Sequence, residues 1–201
     1  DDRRLFFVVA DVSGKGLPAS LFMASVKSIL KSTALTVEGT VGGVLARAQD
    51  EVQRENAESL FVTALAGVLD LETGDLELSN AGHEPAWVHR PREGVERLEA
   101  AGGPPLCVME TFAYPATRRT LVPGEWILAI SDGATEAQNR DRAFFGAERL
   151  RTTLGWVSEG TDAHEIVKRV RDDVQRFADG AEPADDLTLL AIRWKGPAAA
   201  A

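Results

Sequence analysis

Leu5-Phe6-Phe7-Val8-Val9-Ala10-Asp11-Val12-Ser13-Gly14-Lys15-Gly16-Leu17-Pro18-Ala19 is the stretch on which the fold turns. Residues 5–10 form a continuous apolar run, dense in β-formers and flanked by charge, which is the pattern of a buried strand. The run ends on Asp11, so a rigid element carries a carboxylate at its tip. Gly14 and Gly16 then mark a tight turn, and Pro18 stands where a helix tolerates proline, in its first turn. Beyond it Phe22, Val26, Ile29 and Leu30 repeat at helical spacing.

Working outward, residues 41–57 read as a second helix, with Val44, Leu45, Ala48 and Val52 as its apolar stripe. The middle of the chain changes to strands. Residues 61–71 and 76–81 flank the turn Glu72-Thr73-Gly74-Asp75 and read as a hairpin. Residues 86–89, 95–98, 117–122 and 126–131 follow as strands, the last two separated by Pro123-Gly124. Helix returns in the C-terminal third, where Asp162 and Glu165 make a capping-box pattern ahead of Ile166, Val170, Val174 and Phe177. Residues 187–194 form a closing strand, and 196–201 read as a disordered tail. Antiparallel strands with helices in two separate blocks predict an α+β class, with helices packed on sheet faces; a two-sheet antiparallel β-sandwich covered by helices satisfies it.

The chain of 201 residues is long enough for one domain with a substantial core, and a single domain over residues 1–195 is expected. Apolar residues at 44% and charged residues at 26% are the balance of a globular fold. No apolar run approaches the roughly 20 residues that span a bilayer. A net charge of −9 with scattered basic residues argues against nucleic acid as a partner and suits cation binding. The one cysteine, Cys107, excludes an internal disulfide framework and a cysteine-rich zinc site, which makes a reducing cytoplasm the expected compartment. The sequence opens on Asp1-Asp2-Arg3-Arg4 without an initiator Met or signal-peptide pattern, and reads as an excised fragment.

Three acidic positions abut apolar strands: Asp11 after residues 6–10, Asp132 after residues 127–131, and Asp185-Asp186 before Leu187-Thr188-Leu189. Mg²⁺ and Mn²⁺ take oxygen ligands, keep several waters, and need only a few carboxylates held by stiff elements. Each position also has a plainer reading: Asp132-Gly133 as a turn, Asp11 as a cap for the following helix, Asp185-Asp186 as a solvated loop. Residues 11–16 lack the spacing of a nucleotide P-loop. Cys107, with no arginine loop downstream to receive a phosphate, reads as a small core residue. His83, in Asn80-Ala81-Gly82-His83-Glu84-Pro85, either pins a tight loop or orients a substrate or leaving group, and Lys15 could touch a phosphate.

Residues 11–19 with Leu21-Phe22-Met23-Ala24, Phe61-Val62-Thr63-Ala64, Asn80-Ala81-Gly82-His83, Ser131-Asp132-Gly133 with Glu136-Ala137, Phe145-Gly146 and Asp185-Asp186-Leu187-Thr188 run in order along nearly the whole chain. The ordered set resembles the SpoIIE/RsbU branch of the protein phosphatase 2C superfamily of metal-dependent serine/threonine phosphatases. The resemblance implies a central sandwich flanked by helix pairs, layered αββα, with two Mn²⁺ or Mg²⁺ ions at one edge. By motif position Asp11 resembles the aspartate bridging both metals, Val12 the neighbour whose carbonyl coordinates one, and Asp132 and Asp185 the aspartates completing a metal site. Asp186 falls beside the ligand position and ranks below Asp185. In the family a metal-activated water attacks phosphorus in line, between cations about 3.5–4 Å apart. Relatives carry a further strand before Leu5, ending in an aspartate that holds the second metal, so one ligand is expected upstream of residue 1.

The resemblance further implies a phosphorylated anti-sigma-factor antagonist of the STAS type as substrate, an upstream sensor domain, a homodimer as one assembly, and a bacterial signalling role. In relatives the region equivalent to residues 17–57 acts as a switch that sets metal affinity. Two other classes compete: a degenerate phosphatase fold serving as a scaffold, which would have no need of Asp11, Asp132 and Asp185, and a hydrolase of small phosphorylated metabolites, which would need a deep pocket.

Overall fold

The apolar run that opens the sequence is strand β1 (Arg4–Val12), paired antiparallel with β2 (Val62–Asp70) so that Asp11 lies opposite Thr63 and Val12 opposite Val62. This computed structural model describes residues 3–36, 39–54, 56–158, 160–183 and 185–197. Two compact units emerge: residues up to 83 with 100–120 form the first, and 84–99 with 121–197 the second.

In the first unit β3 (Asp75–Ala81) returns antiparallel beside β2 through the expected turn. It then pairs in parallel with the two-residue β6 (Gly102–Gly103) and antiparallel with β7 (Thr117–Thr120). Helices α1 (Leu17–Thr36) and α2 (Val41–Arg54) cover one sheet face. Val26, Leu30, Leu45, Ala48 and Val52 from the helices pack with Val62, Ala64, Ala66 and Ala81 from the strands. Side chains alternate across a strand, so Phe7, Val9, Leu65, Leu69, Leu76 and Leu78 form the opposite face, and they too are buried. Asp11 and Thr63 continue that second face at the strand ends.

The second unit holds β4 (Ala86–Arg90), β5 (Gly94–Leu98), β8 (Trp126–Ile130) and β9 (Leu189–Arg193) in an antiparallel sheet ordered β5-β4-β8-β9. Helices α4 (Gly146–Gly155) and α5 (Ala163–Ala178) pack on it, with Leu150, Leu154, Ile166, Val170 and Val174 against Trp87, Trp126, Leu128 and Ile130. The predicted cap is present: Asp162 Oδ1 accepts a 2.8 Å bond from the Glu165 amide. A one-turn helix, α3 (Asp132–Thr135), follows β8 directly.

The α+β class thus holds, with one mainly antiparallel sheet and one helix pair in each unit. Two boundaries and one helix are the main departures from the sequence reading. The second helix stops at Arg54 rather than 57, because Asn56 bonds the Leu60 backbone at both ends of its amide (2.9 and 2.6 Å) and so competes with a further helical turn. The strand expected over 117–122 ends at Thr120, since Glu125 takes the Val122 amide on its carboxylate and returns its own amide to the Val122 carbonyl. The strands on either side of Pro123-Gly124 consequently belong to different sheets. Helix α4 has no counterpart in the sequence reading. Only Leu150, Thr153 and Leu154 are buried on it, too short a stripe to register as periodic. Among the described residues no helix is long and apolar enough to cross a membrane. Of the tail, residues 198–201 lie outside the described residues.

Tyr114, the one tyrosine of the chain, ties a loop of the first unit to α2: its hydroxyl lies within hydrogen-bond distance of two acceptors, Gln49 Oε1 (2.8 Å) and the Pro104 carbonyl (3.0 Å), between which its one proton is shared. Burial, helped by the nearby Cys107, pushes its pKa up to about 12. A raised folded value means the contribution to stability is complete below the unfolded value of about 10 and is lost as pH climbs through about 12. Ultraviolet titration reads this residue alone. Tyrosinate absorbance is expected to appear only near pH 12 or with unfolding, and an ordinary midpoint near ~10 in the folded chain would refute the assignment.

Candidate metal centre

In the first unit the chain leaving β1 is tied to the start of β2. The Ser13 amide donates to the Phe61 carbonyl (2.9 Å), and the Phe61 amide donates to Ser13 Oγ (2.9 Å). Thr63, the cross-strand partner of Asp11, places its hydroxyl 3.5 Å from the Asp11 carbonyl oxygen and 2.8 Å from His83 Nδ1. His83 is held in turn by Asn80, whose Oδ1 accepts the His83 amide (2.7 Å) and whose Nδ2 donates to the His83 carbonyl (2.8 Å). Gly82 permits this loop: its φ is 67°, and a Cβ there would lie 2.7 Å from the Pro105 ring. Asn80 therefore pins the tight turn, while the buried His83 ring is oriented by Thr63 toward the strand end that carries Asp11.

In the second unit β8 is buried along its whole length and passes through the buried Ser131 into Asp132. Ser131 staples two strand ends. Its amide donates to the Thr188 carbonyl (3.0 Å), its Oγ donates to the Asp186 carbonyl (3.0 Å), and the same Oγ accepts the Thr188 amide (3.0 Å). Gly133 completes the contact, since a Cβ at that position would lie 2.3 Å from the Asp186 carbonyl oxygen. Asp132 and the Asp185-Asp186 segment are thereby held on adjoining backbone. Asp185 and Asp186 are exposed, and Asp185 Oδ1 accepts the Asp186 amide at 2.8 Å.

Asp132 Oδ1 is different: it is buried and has no hydrogen-bond partner. A carboxylate oxygen in that state is destabilising unless a donor or a cation meets it. The oxygen-only donor set at this strand end is what a hard divalent cation takes. The residues of the second unit therefore fit a Mg²⁺- or Mn²⁺-type ion at Asp132 with Asp185 beside it. Asp11 and Val12 end β1 in the first unit. Among the described residues no group of three or more His, Cys, Asp or Glu side chains is gathered closely enough to hold a metal by itself.

Ser131, Thr63 and Asn80 carry no role in the sequence reading, yet they position the acidic strand ends. Their signals were a small polar residue inside an otherwise apolar strand and a place in the motif blocks that carry the family resemblance. Cys107 is half-buried against the first unit's core, and burial raises its pKa while a bond from Asn56 opposes. A weakly ionised thiol fits the packing reading rather than nucleophilic use.

Residues 1–195 match the family model described as Stage II sporulation protein E (SpoIIE). Protein IcfG of Synechocystis sp. (strain ATCC 27184 / PCC 6803 / Kazusa) is 26% identical over 219 residues, covering 95% of this chain and 34% of that protein. Phosphoserine phosphatase RsbU of Bacillus subtilis (strain 168) is 26% identical over 196 residues, covering 97% of this chain and 57% of RsbU. The chain thus spans about a third to three-fifths of the length of these curated relatives. Among solved structures, the RsbU and RsbW domains of a Mycobacterium tuberculosis protein align with TM-score 0.76 at 24% identity, over 98% of this chain and 53% of that one. The PP2C domain of SiaA of Pseudomonas aeruginosa aligns with TM-score 0.78 at 17% identity, over 94% and 78%. RsbX in complex with magnesium aligns with TM-score 0.66 at 18% identity, over 95% and 81%. At these identities the structures show that the fold is shared.

Replacing Ser131 with Ala deletes the hydroxyl that both donates and accepts between the two strand ends. The expected loss is about 1–3 kcal/mol in denaturant unfolding, the cost of stranding buried polar groups. A loss below about 0.5 kcal/mol, ordinary for surface changes, would mean that the staple does not hold this corner.

Proposed function

The chain belongs to the SpoIIE family, and from that membership we propose that it is the catalytic part of a metal-dependent phosphatase that removes phosphate from serine or threonine of a regulatory protein. The observation that carries the proposal is the buried, donorless Asp132 Oδ1, held on the backbone of the Asp185-Asp186 segment by Ser131.

In this reading Asp132 and Asp185 hold a divalent cation at the end of β8, and Asp11 with the Val12 carbonyl serves the same purpose at the end of β1. Asp186 ranks below Asp185, because by family resemblance it falls beside the ligand position. Mn²⁺ or Mg²⁺, two ions by family resemblance, would supply Lewis-acid stabilisation of phosphoryl charge and lower the pKa of the attacking water. The chain's own part is to hold carboxylates on stiff strands so that little reorganisation accompanies the reaction. Thr63 and His83 orient the β1 end, and Ser131 orients the β8 end.

The RsbU relative, named a phosphoserine phosphatase, supports a phosphoprotein substrate. The shared fold of the RsbU and RsbW domains supports a place among sigma-factor regulators, with a phosphorylated anti-sigma-factor antagonist as the molecule acted on. Cytoplasmic action, an upstream sensor domain and a homodimer belong to the same proposal.

Phosphate release from a phosphoserine protein, titrated with Mn²⁺ or Mg²⁺, tests the activity. Release is expected to require metal and to fall by at least ~100-fold in Asp132→Asn, beyond what outer-shell changes produce. Unchanged turnover in that variant would remove Asp132 from the site. Release that persists in excess chelator would end the metal-dependent reading altogether.

Thermal unfolding gives a second readout. Without metal, Asp132→Asn should melt at or above the parent chain, because the substitution removes a buried charge that has no donor. Added Mn²⁺ should raise the melting temperature of the parent by clearly more than that of the variant, by preferential binding to the folded state. An equal rise in both would place the ion elsewhere.

A further inference from the structure

The end of β8 remote from Asp132 is built from the opposite chemistry. His89 on β4, Trp126 on β8 and Arg193 on β9 are direct cross-strand neighbours, so the three side chains form one row on one sheet face. The His89 and Trp126 rings stack with centroids 5.3 Å apart and planes 8° from parallel. All three residues line a cavity of about 400 Å³, walled further by Pro91, Pro123 and Gly160.

Two N–H groups in this row lack an acceptor. Trp126 is only 2% exposed, and its Nε1 is buried with no hydrogen-bond partner. Arg193 Nε is likewise buried without a partner, while Nη1 of the same guanidinium donates to the Gly160 carbonyl at 2.7 Å and fixes the group in place. A guanidinium N–H and an indole N–H, each buried without an acceptor, are costly arrangements that an acceptor-rich ligand relieves. Arginine is also the side chain best suited to a carboxylate or phosphate, through charge-assisted bonds.

We propose that the His89-Trp126-Arg193 row is the floor of a binding site for a small anion, whose carboxylate or phosphate head accepts from Trp126 Nε1 and Arg193 Nε while an apolar body lies among the rings and prolines. The size suits a metabolite-scale molecule rather than a protein segment. The site stands apart from the acidic strand ends: Trp126 and Asp132 are six residues apart along an extended segment, about 20 Å. It rests on none of the phosphatase reading. In a chain of net charge −9, an anion site has to be made locally, by donors like these.

The chain contains four tryptophans, so an isotope-labelled sample gives few indole N–H resonances, and Trp126→Phe identifies the relevant one by its loss. Sodium phosphate and sodium benzoate are titrated separately at constant ionic strength against sodium chloride. The expected result is a saturable shift of the Trp126 indole resonance with at least one of them. Response to phosphate alone or benzoate alone identifies the head group, and response to both establishes the shared chemistry. Binding should weaken roughly ten-fold or more in Arg193→Gln, as the loss of one charge-assisted bond implies. Arg193→Lys, which keeps the charge and lacks Nε, serves where the Gln variant fails to fold, and it should weaken binding similarly. No saturable shift with either probe, or the same shift with chloride, would overturn the proposal and leave the cavity to water. A shift unaffected by both Arg193 variants would overturn it equally.

Discussion

A carboxylate oxygen kept from water with no donor destabilises whatever fold contains it, and Asp132 Oδ1 is kept so by the most firmly built corner of the second unit. Every residue of β8 before it is buried, which fixes where the strand ends. Ser131 then leaves the backbone little freedom, because its hydroxyl and amide are shared between Asp186 and Thr188. The close approach of Gly133 to the Asp186 carbonyl removes what slack remains. An unfavourable group held with this much order is one that a ligand would relieve, and an oxygen-seeking divalent ion is the ligand we propose for it.

The first unit solves a similar problem by gentler means. Asp11 stands next to the end of a strand whose preceding residues bury one face and partly bury the other, and its cross-strand neighbour is a threonine rather than another apolar residue. Thr63 trades packing for a hydroxyl that reaches His83, and Asn80 with Gly82 shapes the loop that brings His83 there. At both strand ends, then, one hydroxyl-bearing residue makes the transition from apolar strand to acidic tip. Hydroxyls suit that place because a single oxygen can donate and accept at once, satisfying backbone from two segments without adding charge.

Much of this was legible in the residues. The dense apolar run of residues 5–10 marked β1 to within two residues of either end, Asp132 marked the end of β8, and Asp162 with Glu165 marked the start of α5. Strand period and capping chemistry are local, and local signals survive in one sequence. The losses come mostly from side-chain bonds to backbone, which leave no periodic signal in the sequence. Nothing near residue 120 announces that Glu125 will take the Val122 amide and break the strand, and nothing near residue 57 announces the clasp of Asn56 on Leu60. Helix α4 escaped notice because three buried positions are too few to show a period. Ser131 stood in plain view within an apolar strand, but its partners lie 55 and 57 residues away.

The second unit's sheet shows why side-chain chemistry sorts by strand end rather than by sequence neighbourhood. Because β8 and β9 run antiparallel, the residues just before β9 meet the end of β8, and the end of β9 meets its beginning. Asp132 therefore adjoins Asp185-Asp186 at one end, and Arg193 lies opposite Trp126 at the other, where the buried Glu125 carboxylate is already bonded to the Val122 amide. Placing both sets at a single end would let Arg193 neutralise the carboxylates and remove their use for a cation, since an adjacent guanidinium satisfies a carboxylate directly. Separating them by the length of a buried strand leaves each set short of partners from the chain itself. That shortage is the physical condition under which a protein group is available to bind something else.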